Sequence, residues 1–451
     1  TFLRRWQRDL FRELAAELGV PFIVVDVVAQ EATLRERLRR RALGPADVSE
    51  AGVAVLDHQL RTDEPLGDDE LGTVERCDAE RPLDEGQRAR LWNAVDARVA
   101  HAVSSRRPHA PAAAPSLARR IAFLAQAASY PEGTAAVECI ETHMSWVFLT
   151  DRHAYKLKKP AKTPLVDLRE ARARLSNCAD EVRLNRRLST GVYLGVVPLL
   201  VDAKGQLGLA NGGDAVDWLV QMRRLPADRM LDALIRARNV RAEDLAALVA
   251  RLCAFYRDAR RIELRPVDYR DAFAASIAEH RDELARPRYA LDVARLDRIA
   301  QRQSEVLADV GLFDVRVREQ RIVEGHGDLR PEHACFEAEP QIIDCLEFSR
   351  RLRTLDALDE IGYLALECER LGAPDVGAAI LAAYRTQCAD PLPPKLLHFY
   401  QSYRAIVRAT LAVRHLEEPG RNDAVKWIAR ANAYLDLASA HVEMQDPGFG
   451  I

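Results

Sequence analysis

The sequence predicts an α+β architecture of two lobes, a strand-rich one followed by a helical one, preceded by a fragment of an α/β domain. Three observations predict it. Residues 22–28, Phe22 to Val28, form a continuous β-branched run between two amphipathic helix patterns, the pattern of a strand buried on both faces. Between about 137 and 223, short apolar segments of strand length flank one long helical stretch. From Asp228 to the end helical spacing dominates, broken only around residues 322–348.

The elements follow in order. Phe2, Leu3, Trp6, Leu10, Phe11, Leu14 and Leu18 recur at helical spacing, and Gly19 closes that helix. A strand at 22–28 and a helix at about 31–42 complete a βα unit. A Ser/Arg/Pro/Ala stretch at 104–115 has linker composition. The expected division is therefore an α/β part at 1–105, a linker at 106–116, a strand-rich lobe at 117–225 and a helical lobe at 226–451. Within the strand-rich lobe we expect a helix at about 117–127 and strands at 137–141, 145–150 and 154–158. A long helix follows at 168–188, then strands at 192–200 and 216–223. Long amphipathic helices return from Ala357 onward.

Bulk properties exclude several classes. With 451 residues, two or three domains are expected, and 48% apolar residues suffice for their cores. The 68 acids and 65 bases give a net charge of −3, so nothing draws the whole chain to nucleic acid or a membrane. Eight cysteines, at 77, 139, 178, 253, 335, 345, 368 and 388, contain no Cys-x-x-Cys pair. That argues against a zinc ribbon or disulfide framework and for a reducing, cytoplasmic setting. No apolar run reaches the length of a membrane span. The basic amphipathic start is not a signal-peptide pattern. A chain that begins at Thr1 leads us to expect that its true beginning is missing.

The most informative segment starts Gly325, His326, Gly327, Asp328, Leu329, Arg330, Pro331, Glu332, His333 and continues to Ile342, Ile343, Asp344, Cys345, Leu346, Glu347. It places Asp328 in a turn and Asp344 at the end of an apolar strand, a hairpin's length apart. Phosphoryl transfer needs one carboxylate to orient the attacking hydroxyl and another to hold magnesium against the nucleotide phosphates. Alone, His-Gly-Asp is common turn chemistry; the downstream Ile-Ile-Asp gives it weight. A second segment, Ala154 to Lys158, puts Ala154, Lys156 and Lys158 on one strand face. By itself it equally suits a basic edge strand.

The run from His326 to His333 resembles the protein-kinase catalytic loop, and its His-Gly-Asp start looks like the aminoglycoside phosphotransferase and choline kinase branch. The resemblance covers about residues 117–440 and implies a protein-kinase-like bilobal fold, with ATP and magnesium as cofactors. It implies Asp328 as base, Arg330 as a cation near the transferred phosphate, His326 as a brace for the loop and Asp344 as magnesium ligand. His333 stands where that pattern has an asparagine ligand. Either it supports the metal through a nitrogen, or Asp344 holds the ion with more water. Ala154-Tyr155-Lys156 matches the kinase third-strand motif, so Lys156 would bridge the α- and β-phosphates, with Lys158 as the fallback. Glu181 is the preferred glutamate partner and Glu170 the alternative. Residues 141–146 would cover the phosphates, without the glycines of the kinase loop. Gln221 and Met222 fall where a hinge would bind adenine.

Glu347 is expected to pair with an arginine of 349–353 rather than bind metal. Asp356 either caps a helix or braces the loop. Phe399, Tyr400, Tyr403, Arg404 and Arg408 read first as a core stripe with solvated arginines, and second as a pocket for a polyhydroxy or anionic acceptor. Residues 1–105 resemble the C-terminal half of a P-loop kinase-like ATPase, joined to such a domain in an uncharacterised bacterial subgroup. Arg35, Arg37, Arg39 and Arg40 would belong to its lid. No Gly-x-x-x-x-Gly-Lys-Ser/Thr occurs, so this part is not expected to hydrolyse ATP. The expected function is ATP- and magnesium-dependent transfer of the γ-phosphate to a hydroxyl of a small molecule. The expected partners are that molecule and the missing P-loop half. The alternative is a nucleotide-binding pseudokinase or regulator.

Overall fold

In the computed structural model, residues 22–42, 64–67, 69–80, 115–163, 165–210, 213–417 and 423–445 are described, with isolated positions 5, 8, 9, 12, 15, 56 and 92. The chain divides into two compact units, Thr1–Ala113 and Ala114–Ile451. The expected linker up to residue 114, Gly19, and the side chains of Arg39 and Arg40 lie outside the described residues.

In the first unit, strand β1 (Val24–Val28) pairs in parallel with β2 (Val74–Asp78), Val24 opposite Val74. Helix α1 (Glu31–Ala42) lies between them in sequence. Parallel neighbours need a crossover of this kind, so the α/β reading holds. Burial differs from the expectation. Val25, Val27 and Val28 are exposed, Val27 at 64%. Among the described residues β1 has one strand partner, β2. Arg35 pairs with Glu31 within α1.

The second unit begins with α2 (Leu117–Leu124), capped by Ser116 Oγ accepting from Arg119 N. A six-stranded antiparallel sheet follows. Its strands are β3 (Glu138–Glu141), β4 (Ser145–Leu149), β5 (His153–Lys158), β6 (Tyr193–Val201), β7 (Leu207–Gly208) and β8 (Asp214–Arg223), in the order β3-β4-β5-β8-β6-β7. The period-2 pattern of β5 explains how it sits. Tyr155 and Leu157 join Leu124, Tyr130 and Phe148 under one face. Ala154 turns to the other face and packs with Cys178 and Val182 of α3 (Ala171–Asn185). The expected long helix at 168–188 is thus shorter at both ends.

The helical lobe contains α4 (Leu231–Arg236), α5 (Ala242–Asp258), α6 (Pro266–Leu284), α7 (Val293–Leu307) and α8 (Val310–Arg318). After the loop region come α9 (Arg350–Arg353), α10 (Ala357–Arg370), α11 (Pro374–Cys388), α12 (Pro394–Arg414) and α13 (Ala424–Glu443). Helix α10 runs buried through the lobe, its buried residues including the carboxylates Asp359, Glu360 and Glu367 as well as apolar side chains. Four short strands, in two antiparallel pairs, interrupt the helices. β9 (Ile322–Glu324) pairs with β12 (Thr354–Asp356), and β10 (Ala334–Phe336) forms a hairpin with β11 (Pro340–Ile342). The catalytic-type loop at 325–333 leaves β9, and Asp344 lies just past β11. This is the two-lobed α+β order that the sequence predicts.

One expectation is corrected. Cys253 of α5 and Cys388 of α11 form a disulfide, with Cα atoms 5.4 Å apart. Sequence spacing carried no sign of it, because 135 residues separate two cysteines that helix packing brings together. Among the described residues, no helix is long and apolar enough to cross a membrane.

Candidate active site

The site is assembled from three elements: β5 of the sheet, α3 packed on it, and the loops on either side of the β10–β11 hairpin. On β5 the period of two sends Lys156 and Lys158 to the face that α3 covers. Lys156 Nζ donates to Glu181 Oε1 at 2.9 Å and to Asp344 Oδ1 at 2.7 Å. Lys158 pairs with Glu181 Oε2 and lies 2.5 Å from Glu347 Oε1. Glu181 is buried and bridges both lysines; Glu170 is exposed at the start of α3 and takes no part. Glu347 departs from the expectation of an arginine partner. Its carboxylate meets Lys158, while Arg353 donates to its backbone carbonyl at 3.2 Å. Desolvation opposes the charge on Lys156, but the carboxylates of Asp344, Glu181 and Glu347 outweigh it and hold the lysine well above its usual range.

Asp344 sits in the left-handed region, φ 64°, a conformation that aspartate tolerates better than most side chains. The turn aims its carboxylate into the cleft, where it remains 44% exposed. Its backbone N–H donates to the Tyr193 hydroxyl at 3.1 Å. The next N–H, of Cys345, donates to Asn185 Oδ1 at 2.8 Å. The sheet and α3 therefore fix the backbone that presents Asp344. Burial would raise its carboxyl, but Lys156, by charge and hydrogen bond, and Arg330 overcome that and hold it well below the usual range.

Asp328 is held from both sides. Its Oδ2 accepts from Arg330 Nε at 3.1 Å, and its Oδ1 from the Tyr363 hydroxyl at 3.1 Å. Desolvation again works against its charge, and Arg330 and Arg408 outweigh it, so Asp328 stays ionised. Arg330 is saturated within the loop, reaching Asp328, Glu332 and His333. His333 is resolved by its partners. Nδ1 lies 2.7 Å from the Asp328 carbonyl, which can only accept, and Nε2 lies 3.0 Å from Arg330 Nη2, which can only donate. Both bonds require the neutral Nδ1–H tautomer. Its Nε2 lone pair is engaged by Arg330, 3.5 Å from Asp344 Oδ2.

His326 is fully buried. Nε2 donates to the Ile343 carbonyl at 2.8 Å, and Nδ1 accepts from Asp328 N–H at 3.3 Å. Desolvation lowers its pKa and keeps it neutral. It ties the Asp328 turn to the strand end that carries Asp344. Glu360 of α10 completes the support. Its carboxylate accepts from His326 N at 2.9 Å, Gly327 N at 2.6 Å and the Tyr256 hydroxyl at 3.0 Å. A Cβ on Gly325 would come within 2.9 Å of Glu360 Oε2, so glycine is what lets the loop approach this carboxylate.

Gln221 and Met222 do not reach the cleft as a hinge. Both lie inside β8, between β5 and β6, opposite Tyr155 and Ala154. The ladder occupies their backbone groups, and the Gln221 side chain donates to the Tyr155 hydroxyl at 3.0 Å. The chain leaves the sheet after Arg223. There Leu225, Val147 and Ile343 are partly buried against the apolar cluster that contains Ala154 and Met222. Residues 141–146 form a tight β3–β4 hairpin, closed by Ser145 N donating to Thr142 Oγ1 at 3.0 Å. Asp356 caps α10 and pairs with Arg316 by two bonds of 2.7 Å. Phe399 and Tyr400 are core, and Arg404 is bound to Asp359 at 2.7 and 2.6 Å.

Sequence reading missed Glu360, Tyr363, Tyr193 and Asn185. Asn185 stands four residues from Glu181 but was given no role, and the other three lie away from the motifs in sequence; packing brings all four to the site. Among the described residues, no group of three or more His, Cys, Asp or Glu side chains is arranged to enclose a metal ion. The donors suit a cation completed by other ligands. Asp344 offers a partly exposed carboxylate, which fits magnesium bound also to phosphate oxygens and water. His333 does not fit that set, because its free nitrogen already accepts from Arg330.

Comparison with known proteins adds the following. The AAA domain family model matches residues 1–66. Uncharacterized proteins of Mycobacterium tuberculosis and Mycobacterium bovis are 31% identical over 325 residues, 70% of this chain and 63% of each of them. The match thus spans less than two thirds of those proteins' own length. Among solved structures, the chain is similar to a choline/ethanolamine kinase family protein from Mesorhizobium loti (15% identity, TM-score 0.43, covering 72% of this chain and 95% of that one). It is also similar to a choline kinase from Cryptosporidium parvum (10%, 0.41, 68% and 90%). A third is an aminoglycoside phosphotransferase in ternary complex with AMP-PNP and hygromycin B (11%, 0.44, 74% and 99%).

Proposed function

We propose that residues 114–451 form an ATP- and magnesium-dependent phosphotransferase that moves the γ-phosphate of ATP to a hydroxyl of a small molecule. One observation carries this reading. Lys156, Glu181 and Asp344 meet in one cleft, the lysine 2.9 and 2.7 Å from the two carboxylates, beside the turn that holds Asp328. A cation on a rigid strand, a carboxylate for a metal and a second carboxylate for the hydroxyl are the parts such a transfer needs.

The roles follow from the geometry. The adenine would lie against the partly buried apolar side chains of Leu225 and Ile343, at the edge of the cluster that contains Ala154 and Met222. Lys156 exchanges its contact with Asp344 for the nucleotide phosphates and keeps Glu181. Magnesium, bound by Asp344, would neutralise phosphate charge. Asp328, already ionised, accepts the hydrogen bond of the acceptor hydroxyl and aims its oxygen. With its pKa held low it is a weak base, which suits a loose transition state in which the proton leaves late. Arg330 and His333 hold Asp328 in place from within the loop. The rival reading, a nucleotide-binding pseudokinase, draws on His333 at an expected ligand position and on the glycine-poor hairpin at 141–146.

The test is transfer of labelled phosphate from ATP to a panel of hydroxyl compounds. Asp328→Asn keeps the shape and removes the charge. Transfer should fall about a hundredfold to ten-thousandfold, with ATP affinity nearly unchanged. Asp344→Asn should weaken the magnesium-dependent part of ATP binding. If the wild type transfers to nothing and its residual hydrolysis is the same in Asp328→Asn, the pseudokinase reading replaces this one.

A further inference from the structure

The side of Asp328 formed by α10 and α12 has a charge pattern that the proposed transfer does not use. Tyr363 of α10 holds Asp328 Oδ1. Arg404 lies over the Tyr363 ring, 5.2 Å from its centre, with both ends of its fork on Asp359. One turn further along α12 is Arg408, whose side chain is 14% exposed. Its Nε reaches the Tyr434 hydroxyl at 3.3 Å and lies 3.5 Å from Glu367 Oε1. Glu367 is already taken. Arg370 Nε donates to its Oε2 at 2.6 Å, and the Tyr434 hydroxyl to its Oε1 at 2.8 Å.

Around the turn, the other arginines each have a carboxylate at hydrogen-bond distance: Arg330 has Asp328, Arg404 has Asp359, Arg370 has Glu367. Arg408 has none as close. Among the described residues its two Nη groups make no hydrogen bond. Its guanidinium carbon lies over the Tyr434 ring, 5.6 Å from the centre, one helical turn from the Arg404 that covers Tyr363, the tyrosine that holds Asp328. A guanidinium with a free fork, mostly removed from water, matches a planar pair of anionic oxygens better than any other ligand. An amine acceptor there would meet like charge, and a neutral one would leave the fork without a partner.

We propose that the acceptor carries an acidic substituent, a carboxylate or a phosphate, which Arg408 binds while Asp328 aims the acceptor hydroxyl. The proposal rests on the phosphotransfer reading above and narrows its substrate class. It also separates this site from one built for polycationic sugars.

The experiment uses the full chain, ATP and magnesium with acceptors matched except for charge: glycerol, glycerate and glycerol phosphate; glucose, gluconate and glucosamine. Product formation is measured, and calorimetry follows binding of the acids without nucleotide. The acids should exceed their neutral partners by about tenfold to a hundredfold in kcat/KM, as one charge-assisted contact provides. Arg408→Gln should erase that preference through KM, and Arg408→Lys should restore part of it. Thermal unfolding checks that both variants fold. Preference for neutral or amine acceptors, or a preference for acids that survives Arg408→Gln, overturns the proposal. If no acceptor is phosphorylated, the phosphotransfer reading fails by itself. Acid binding in calorimetry then decides the Arg408 site: binding lost in Arg408→Gln sustains it, and absence of binding by the wild type overturns it.

Discussion

Lys156 Nζ lies 2.7 Å from Asp344 Oδ1, across 188 residues of sequence. The cation expected to hold phosphates and the carboxylate expected to hold metal thus engage each other across the cleft. On the proposed reading both would be freed together when ATP and magnesium bind, so neither charge would be left uncompensated in the interval. Lys158, two residues on, differs. It is 1% exposed and sits between Glu181 and Glu347, with no route to a ligand.

The two lysines should therefore separate function from stability. Lys156→Ala should weaken ATP–magnesium binding in calorimetry and change stability little, because Asp344 can hydrate and Glu181 keeps Lys158. Lys158→Ala leaves Glu347 without its lysine and Glu181 with Lys156 alone, in a buried place. Breaking such a pair costs about 3–5 kcal/mol, so denaturant unfolding should shift strongly. Equal losses of stability in the two variants would contradict this division of roles.

Glu360 should matter to catalysis without touching substrate. Its carboxylate accepts two loop N–H groups and the Tyr256 hydroxyl. Glu360→Gln replaces one acceptor oxygen with a donor that faces a donor. Leaving such a buried group unsatisfied costs about 1–3 kcal/mol. The Asp328 turn should loosen, so kcat falls, whereas ATP affinity stays, since Lys156 and Asp344 are held by other elements. A fall in ATP affinity equal to the fall in kcat would show that the loop and the lysine cluster are not separately supported.

Gly327 and Gly372 make a matched pair. Both have positive φ, 91° and 78°. A Cβ on Gly327 would meet Leu346 Cδ1 at 3.1 Å and Arg353 Cγ and Leu352 O at 3.2 Å, whereas one on Gly372 meets nothing within 4 Å. Gly372→Ala should carry the backbone term alone, about 1–2 kcal/mol. Gly327→Ala adds crowding at the catalytic turn and should be the more damaging to both unfolding midpoint and turnover. Turnover should be unaffected in Gly372→Ala.

Much of this was legible in the sequence, and the remainder has physical reasons. Strands β4, β5, β6 and β8 and helix α3 announce themselves by period, because each has one face in a core; the two-residue β7 was not expected. Asp328, Asp344, Lys156 and Glu181 were found because the order of residue types is local. Glu360 and Tyr363 were not, since they act from a helix whose sequence reads simply as one more amphipathic helix. Glu347 was assigned to arginines because its neighbours in sequence are arginines; its partner Lys158 comes from the other lobe. Gln221 and Met222 were placed one strand-end too early. A strand's register against two neighbours decides which backbone groups are free, and a single sequence does not carry that register.

A buried histidine pair gives the chain an acid sensitivity apart from the cleft. His398 Nδ1 lies 3.0 Å from His441 Nδ1, and His441 Nε2 lies 3.0 Å from Glu369 Oε2. The bridge between the rings holds one hydrogen, so charging both rings would set two N–H groups face to face. Burial, with His441 beside it, pushes His398 down to about 4. Unfolded, it would titrate near its ordinary value of about 6.5. Between these values the unfolded chain binds a proton that the folded one does not, so acid favours unfolding. The contribution is fully present above about pH 6.5 and is lost progressively as pH falls toward 4. Denaturant midpoints measured from pH 7 to pH 5 should therefore decline, and His398→Gln, which cannot titrate, should reduce that decline. A decline of the same size in the variant would mean that the loss comes from other groups and that the pair is silent.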